Sequence, residues 1–391
     1  VDFSEDPDHA AIAAAVAARC APFDDDYWAR HDEDHEFPWD FYRAMADDGW
    51  VGMAFPEEYG GGGSGITEAA VMMRAIAASG GAMNACTPLH LTIFGLQPVV
   101  KHGSQRLKDA FLPRAVSGDL HVAFGITEPD AGTDTSRIVT RAVRDGDGWR
   151  ISGQKIWTTK ALEAEVVLLL VRTGPASEDG DGGDRFGGLS LFLADMDPAH
   201  VTVRPIKKVG RNAVATCETF YDDLPVESWR MVGEEGRGFR HLLAGLNPER
   251  ILIAAEAVGI GDAALRRAVA YANERIVFDR PIGANQAISH PLADAYARLQ
   301  AAWQMVLMAA WRYDNGMPCG AEANTAKYLA AEAGYLAADR AMQTHGGLGY
   351  ANEYHVERYW REARLMRIAP VSQEMTLNYI AQQVLRLPRS Y

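Results

Sequence analysis

The sequence predicts an α+β chain in three parts: a helical N-terminal domain, a central antiparallel β-domain and a C-terminal helical bundle. Three observations lead there. Apolar residues recur at helical spacing up to about residue 120. From residue 121 the pattern shifts to short runs rich in β-branched and aromatic residues. After Gly236 the helical spacing returns and persists to the end. The chain has 391 residues, 48% of them apolar, which is too long for one simple core and ample for two or three sharing an interface. The resulting boundaries are 1–120, 121–235 and 236–391.

In the first part, helices are expected over 10–21, 39–49, 66–78 and 91–101. The glycines of 60–65 break the pattern after Phe55-Pro56. A Walker-type phosphate loop needs Lys-Ser/Thr after its glycines, but Ile66-Thr67-Glu68 follows, so a plain loop is expected. His31 and His35 stand four residues apart in an acidic run ending at Glu36. The spacing would suit a metal ion, but the acidic surroundings predict a solvated helix face and no metal site.

In the middle part, strand-like runs lie at 121–127, 138–143, 149–158, 166–172, 189–193, 201–203 and 216–221. Asp/Gly clusters at 145–148 and 179–183 separate some of them. The second lacks the spacing and terminal Glu of a calcium loop and reads as a hairpin connection. With no helices between the runs, an antiparallel sheet or barrel is expected.

In the last part, helices are expected over 239–271, 291–308, 321–344 and 375–387. A GxGxxA pattern at 259–264 falls inside the first of these with no strand before it. Close helix packing explains it better than a dinucleotide fingerprint.

Net charge is −14 and no Lys/Arg cluster stands out, which argues against nucleic acid and anionic membrane surfaces as partners. Cys20, Cys86, Cys217 and Cys319 are scattered without a CxxC pair, so neither zinc nor a disulfide framework is indicated. The acidic start Val1–Asp6 lacks signal-peptide features, and no apolar run approaches the length of a membrane span. A cytoplasmic protein is expected.

Two stretches suggest chemistry. Phe124-Gly125-Ile126-Thr127-Glu128-Pro129 runs through Asp130-Ala131-Gly132-Thr133-Asp134, ending a strand in a glycine-containing turn with two hydroxyls. An ordinary strand-end turn has the same composition. Gln154-Lys155-Ile156-Trp157-Thr158-Thr159-Lys160 offers an aromatic ring beside hydroxyls on a strand, a platform suited to a flat redox ring.

With these stretches in view, the chain resembles the acyl-CoA dehydrogenase flavoprotein family over essentially its whole length. Further matches occur in order: Phe55-Pro56-Glu57-Glu58-Tyr59-Gly60-Gly61, Leu112-Pro113 with Ser117-Gly118, Glu274-Arg275 with Phe278 and Pro281-Ile282-Gly283, Gln286, and Gln343-Thr344-His345-Gly346-Gly347-Leu348-Gly349-Tyr350. The resemblance implies FAD as cofactor. Phe124, Ile126 and Thr127 would meet the flavin, Thr133 its pyrophosphate, and Trp157 and Thr159 would flank the ring. Arg275, Phe278, Gln286, Gln343, Gly346 and Gly347 would reach the ADP half of a flavin in a neighbouring subunit. That implies a homodimer or homotetramer, and Ser372 and Glu374 are further candidate cofactor contacts. The family also implies an acyl-CoA substrate, a place in fatty acid metabolism and electron-transferring flavoprotein as acceptor. Asn84–Phe94 is a candidate lining for the acyl cavity.

Many members place the catalytic Glu at a fixed distance after the Gln-x-x-Gly-Gly motif. Counted from Gln343, that position is Pro370, which is neither a base nor an amide donor. A second subgroup, resembling isovaleryl-CoA and long-chain acyl-CoA dehydrogenases, carries the Glu on a helix just before an Arg, and Glu249-Arg250 matches it. Glu249 is thus the expected base and Arg250 a substrate-side neighbour. A one-residue shift would let the Ala369 amide hold the thioester carbonyl. A flavin oxidase, an acyl-carrier-protein dehydrogenase or a non-catalytic subunit of a hetero-oligomer are the alternatives.

Overall fold

A computed structural model describes residues 6–175 and 185–389, so the Asp/Gly stretch at 179–183 lies outside the described residues. The N-terminal helices are α1 (Pro7–Cys20), α2 (Asp25–Asp34), α3 (Trp39–Asp47), α4 (Ile66–Ile76), α5 (Ala82–Gly95), α6 (Gln97–His102) and α7 (Gln105–Val116). Side chains that favour non-helical backbone start several of them. Asp6, Asp24 and Ser104 accept hydrogen bonds from the amides of Asp8, Tyr27 and Leu107.

Helix α5 departs from the sequence reading. It begins at Ala82, well before the expected 91, and continues through Pro88. Every residue in it is buried. A helix covered on all sides has no polar face, so it shows no amphipathic period to read. The solvated face expected over His31–Glu36 is also corrected in part. His35 and Glu36 are exposed, but His31 and Asp32 are buried. The Asp32 carboxylate accepts from the Asn212 amide (2.8 Å), Asn84 Nδ2 (3.1 Å) and Arg361 Nη2 (3.0 Å), joining three separate stretches of chain. Among the described residues no group of three His, Cys, Asp or Glu side chains is placed to hold a metal ion.

The central sheet comprises β1 (Val122–Gly125), β2 (Arg141–Asp145), β3 (Gly148–Thr159), β4 (Val166–Arg172), β5 (Leu189–Asp195), β6 (Val201–Pro205) and β7 (Thr216–Glu227). Its order is β1-β4-β2-β3-β7-β6, with β5 on β4. Most neighbours pair antiparallel, but β1 runs parallel to β4, from Val122 opposite Val166 to Gly125 opposite Leu169. The chain passes through β2 and β3 between these two strands, and that long connection is what parallel pairing requires.

The C-terminal part is α8 (Gly238–Glu274), a short hairpin of β8 (Ile276–Val277) and β9 (Arg280–Pro281), then α9 (Gln286–Asp314), α10 (Gly320–His345), α11 (Val356–Leu365) and α12 (Gln373–Tyr379). Helix α8 is the axis of the molecule and packs on α4, α5, α9, α10 and α11. Glycines permit its closest approaches. A Cβ on Gly259 would lie 2.4 Å from Arg74 O, and one on Gly334 of α10 would lie 2.3 Å from Ala257 O. The GxGxxA pattern is therefore a packing surface, as expected. No helix among the described residues is long and apolar enough to cross a membrane.

Gly334→Ala separates packing from propensity. Helix propensity alone favours Ala by about 1 kcal/mol. The backbone clash with Ala257 predicts instead a loss of about 1–3 kcal/mol, read as a lower urea midpoint.

Candidate active site

The two stretches singled out in the sequence meet through one buried ion pair. Lys155 lies in β3 with no exposed surface. Its Nζ donates to Glu128 Oε1 at 2.8 Å and to Ile126 O at 2.9 Å. Glu128 also accepts from the amides of Val139 (2.8 Å) and Thr140 (3.0 Å), while the Ile156 amide donates to Thr127 O (2.9 Å). Burial lowers the Lys155 ammonium to about 8, with Glu128 opposing the fall. Burial also pushes the Glu128 carboxyl up, but Lys155 outweighs it and holds the group below its ordinary value.

Beyond Lys155 the β3–β7 register shifts, and Trp157 takes φ +62°. The bulge turns the indole outward to 55% exposure. Thr159, two residues on, is buried. Its Oγ1 lies 3.2 Å from Thr216 Oγ1, and Arg211 Nη2 donates to both hydroxyls, at 3.1 and 2.9 Å respectively. An open aromatic face thus adjoins a fixed hydroxyl pair.

Helix α5 lies against this wall. Phe94 meets Phe124 edge-on at 5.2 Å, Lys160 Nζ donates to Pro88 O (3.0 Å), and the Ala213 amide donates to Asn84 Oδ1 (3.1 Å). Ile126 is buried in the same core.

Helix α8 packs on α5 and carries Glu249, which is 6% exposed. The Glu249 carboxylate makes no hydrogen bond or ion pair among the described residues. Burial pushes its carboxyl up to about 7; His90, Arg250 and Lys327 pull it back, and Glu256 adds to the rise. The helix runs unbroken through Pro248. Arg250 does not neutralise its neighbour, because its Nη1 donates to Leu246 O (3.2 Å) and Asn247 Oδ1 (3.1 Å). Lys327 of α10 has no exposed surface, and its Nζ donates to Val371 O.

The remaining sequence candidates lie elsewhere. Arg275, Phe278 and Gln286 are exposed around the β8–β9 hairpin, and Gln343, Gly346 and Gly347 are exposed at the end of α10. Tyr271 stacks on His345 at 4.4 Å, which brings these two sets together. Phe278 is 93% exposed, and Gly346 has φ +60° with nothing within 4 Å of where a Cβ would stand. From Glu249 to Arg275 the helix advances 26 residues, about 39 Å. Thr133 is exposed in the turn after β1. Ser372 caps α12 by accepting from the Met375 amide (3.3 Å), with Glu374 exposed beside it. The Ala369 expectation is corrected: its amide already donates to Leu365 O (3.0 Å), so it is not free for a thioester carbonyl.

Three family models match in order: the acyl-CoA dehydrogenase N-terminal domain over residues 6–119, the middle domain over 123–224 and the C-terminal domain over 236–385. A Mycobacterium bovis protein named acyl-CoA dehydrogenase fadE12 is 40% identical, covering 100% of this chain and 99% of the relative. The chain belongs to the acyl-CoA dehydrogenase family.

Solved structures agree. Butyryl-CoA dehydrogenase from Megasphaera elsdenii superposes with a TM-score of 0.90 at 28% identity, over 99% of this chain and 100% of that one. A chain from work on the electron-transferring flavoprotein of Acidaminococcus fermentans gives a TM-score of 0.92 at 29% identity, over 99% and 100%. This acyl-CoA dehydrogenase is an FAD-dependent enzyme. Its residues fit that cofactor: an outward indole beside fixed hydroxyls suits a flat ring, and an open Gly-Gly turn beside an arginine suits a phosphate-bearing half.

Sequence reading found Glu249 but not the charged groups around it. His90, Glu256 and Lys327 lie within helices in chain regions without a recognisable motif. A polar residue inside an otherwise apolar helix was the available signal for all three.

Lys155→Met removes the cation while Glu128 stays buried. A loss of about 3–5 kcal/mol in urea unfolding is expected. Adding Glu128→Met should recover part of it, since no buried charge is then left alone.

Proposed function

We propose that this chain dehydrogenates a fatty acyl-CoA thioester to its 2-enoyl-CoA, with Glu249 taking the α-proton. One observation carries the assignment: a buried carboxylate without a partner, its affinity for a proton raised toward neutrality, on the helix packed against α5, which itself lies against the flavin wall. Desolvation makes such a carboxylate a stronger base than it is in water. The cations of Arg250 and Lys327 limit the rise, so part of the population stays ionised near neutral pH.

When bound, FAD supplies the acceptor for the β-hydride. Ile126, Thr127, Trp157 and Thr159 would hold its ring, with Phe124 supporting them. Thr133 would meet its pyrophosphate. Pro370 and Ala369 offer no free amide to the thioester oxygen, so the carbonyl is held by other groups.

A second copy of the chain completes the cofactor site in this reading. The base and the Arg275/Gly346 set are about 39 Å apart along α8, so they serve different flavins. Exposed Val269, Ile276, Phe278 and Tyr296 give that end of the bundle an apolar surface suited to a partner copy. The likeness to the chain from the Acidaminococcus work supports electron-transferring flavoprotein as the acceptor.

Glu249→Gln should stay yellow yet lose bleaching of the flavin by acyl-CoA under anaerobic conditions; bleaching at the parental rate refutes the assignment. The base works deprotonated, so kcat/KM should rise with pH through about 7 and level off above it. A flat profile down to pH 5 contradicts this. Mixed oligomers test the shared site: Glu249→Gln and Arg275→Ala chains, each inactive alone, should regain activity when refolded together. One site then combines an intact base with an intact clamp.

A further inference from the structure

Two helical turns beyond Glu249 on α8 stands Glu256, on the same face and about 10 Å further along. It is completely buried, and neither of its carboxylate oxygens has a hydrogen bond among the described residues. Facing it from α5 is His90, 4% exposed, with Nδ1 2.7 Å from Glu256 Oε1. The contact is close enough for an ion pair but is not aligned as a hydrogen bond. Thr87 lies one turn before His90 on α5, and its buried hydroxyl is also without a partner. The other charged groups facing this cluster are Glu249 on the same helix and Arg211 from the β-domain loop, whose buried Nε is unpartnered as well.

Unmade hydrogen bonds on fully buried groups are costly, and a carboxylate is the costliest common case. These groups lie between α5 and α8. Helix α5 is tied to the flavin wall through Pro88 and Asn84, and α8 carries the base. A hydrocarbon tail here would leave both Glu256 oxygens without a hydrogen bond. A carboxylate-tipped tail would meet like charge. A hydroxyl or ammonium group would satisfy an oxygen.

We propose that Glu256, held by His90, recognises a hydrogen-bond donor, a hydroxyl or an ammonium, on the acyl chain of the substrate, about 10 Å along the helix from the base. The proposal rests on Glu249 acting as the base toward an acyl-CoA. It makes Glu256 a specificity-determining residue, with His90 and Thr87 shaping its pocket.

The test uses the FAD-loaded enzyme and anaerobic bleaching by hexanoyl-, octanoyl- and decanoyl-CoA, with the ω-hydroxy, ω-amino and ω-carboxy form of each. At the best chain length, the hydroxy or amino form should exceed the plain chain by at least about 10-fold in kcat/KM, with the carboxy form slowest. Glu256→Leu should reverse the order in favour of the plain chain. Glu256→Gln, which keeps the shape and an acceptor but removes the charge, should retain the hydroxyl preference and lose the ammonium one. It guards against misfolding of the leucine variant. A parent enzyme that prefers plain chains, or a preference that both Glu256 variants leave unchanged, overturns the proposal. If no thioester in the panel bleaches the flavin, the acyl-CoA reading itself fails and takes this one with it.

Discussion

The buried contact between Lys155 and Glu128 is the constraint on which the cofactor side depends. Lys155 reaches back from the long strand β3 to the turn after β1, and Glu128 then captures the amides that lead into β2. A lysine with no exposed surface is tolerated because its ammonium donates to a carboxylate and a carbonyl. With that crossing fixed, the bulge that follows has one outcome: the chain turns at Trp157, puts the indole outside and returns Thr159 to the interior. The same four positions, 126 to 128 and 155, close the turn and aim the aromatic wall.

Helix α8 organises the other side. Its N-terminal half carries Glu249 and then Glu256 on one face. Its middle packs through glycines on α4 and α10, and its end delivers Arg275 to a different surface. A straight helix holds these distances rigidly, since relative motion would have to break its hydrogen bonds. The clash that any Cβ at Gly259 or Gly334 would bring shows how closely the neighbours clamp it.

Much of the fold was legible because most elements have one wet face. Strands β3 and β7 and helices α1 and α3 show the period that half-burial imposes. Helix α5 does not: buried throughout, it reads as an apolar stretch interrupted by Pro88. Its importance as the layer between wall and base was therefore visible only through the resemblance that named Asn84–Phe94 as lining. Parallel pairing of β1 with β4 was also hidden, since strand direction depends on connections and not on side-chain alternation. On the site, Trp157, Thr159 and Glu249 belong to short motifs. His90, Glu256 and Lys327 come together around Glu249 only in space, from α5, α8 and α10, and no local spacing records that arrangement.

The loop at 368–371 is consistent with the proposal that the helices bear much of the chemistry. Pro370 has no amide and no acid, the Ala369 amide is committed to Leu365, and the Val371 carbonyl is committed to Lys327. A loop so occupied is a poor source of a base or of an oxyanion donor, whereas α5 and α8 present buried groups whose hydrogen bonds are unfilled. With Glu249 as the proposed base, the base shares one rigid element, α8, with Glu256. In the proposed reading, proton abstraction and selection along the acyl chain are set by one ruler: Glu249 marks the reacting carbon, and Glu256 meets whatever lies two turns further. On that proposal, a substrate that satisfies the second carboxylate is held in register for the first, so a polar contact remote from the reacting bond would position the bond itself.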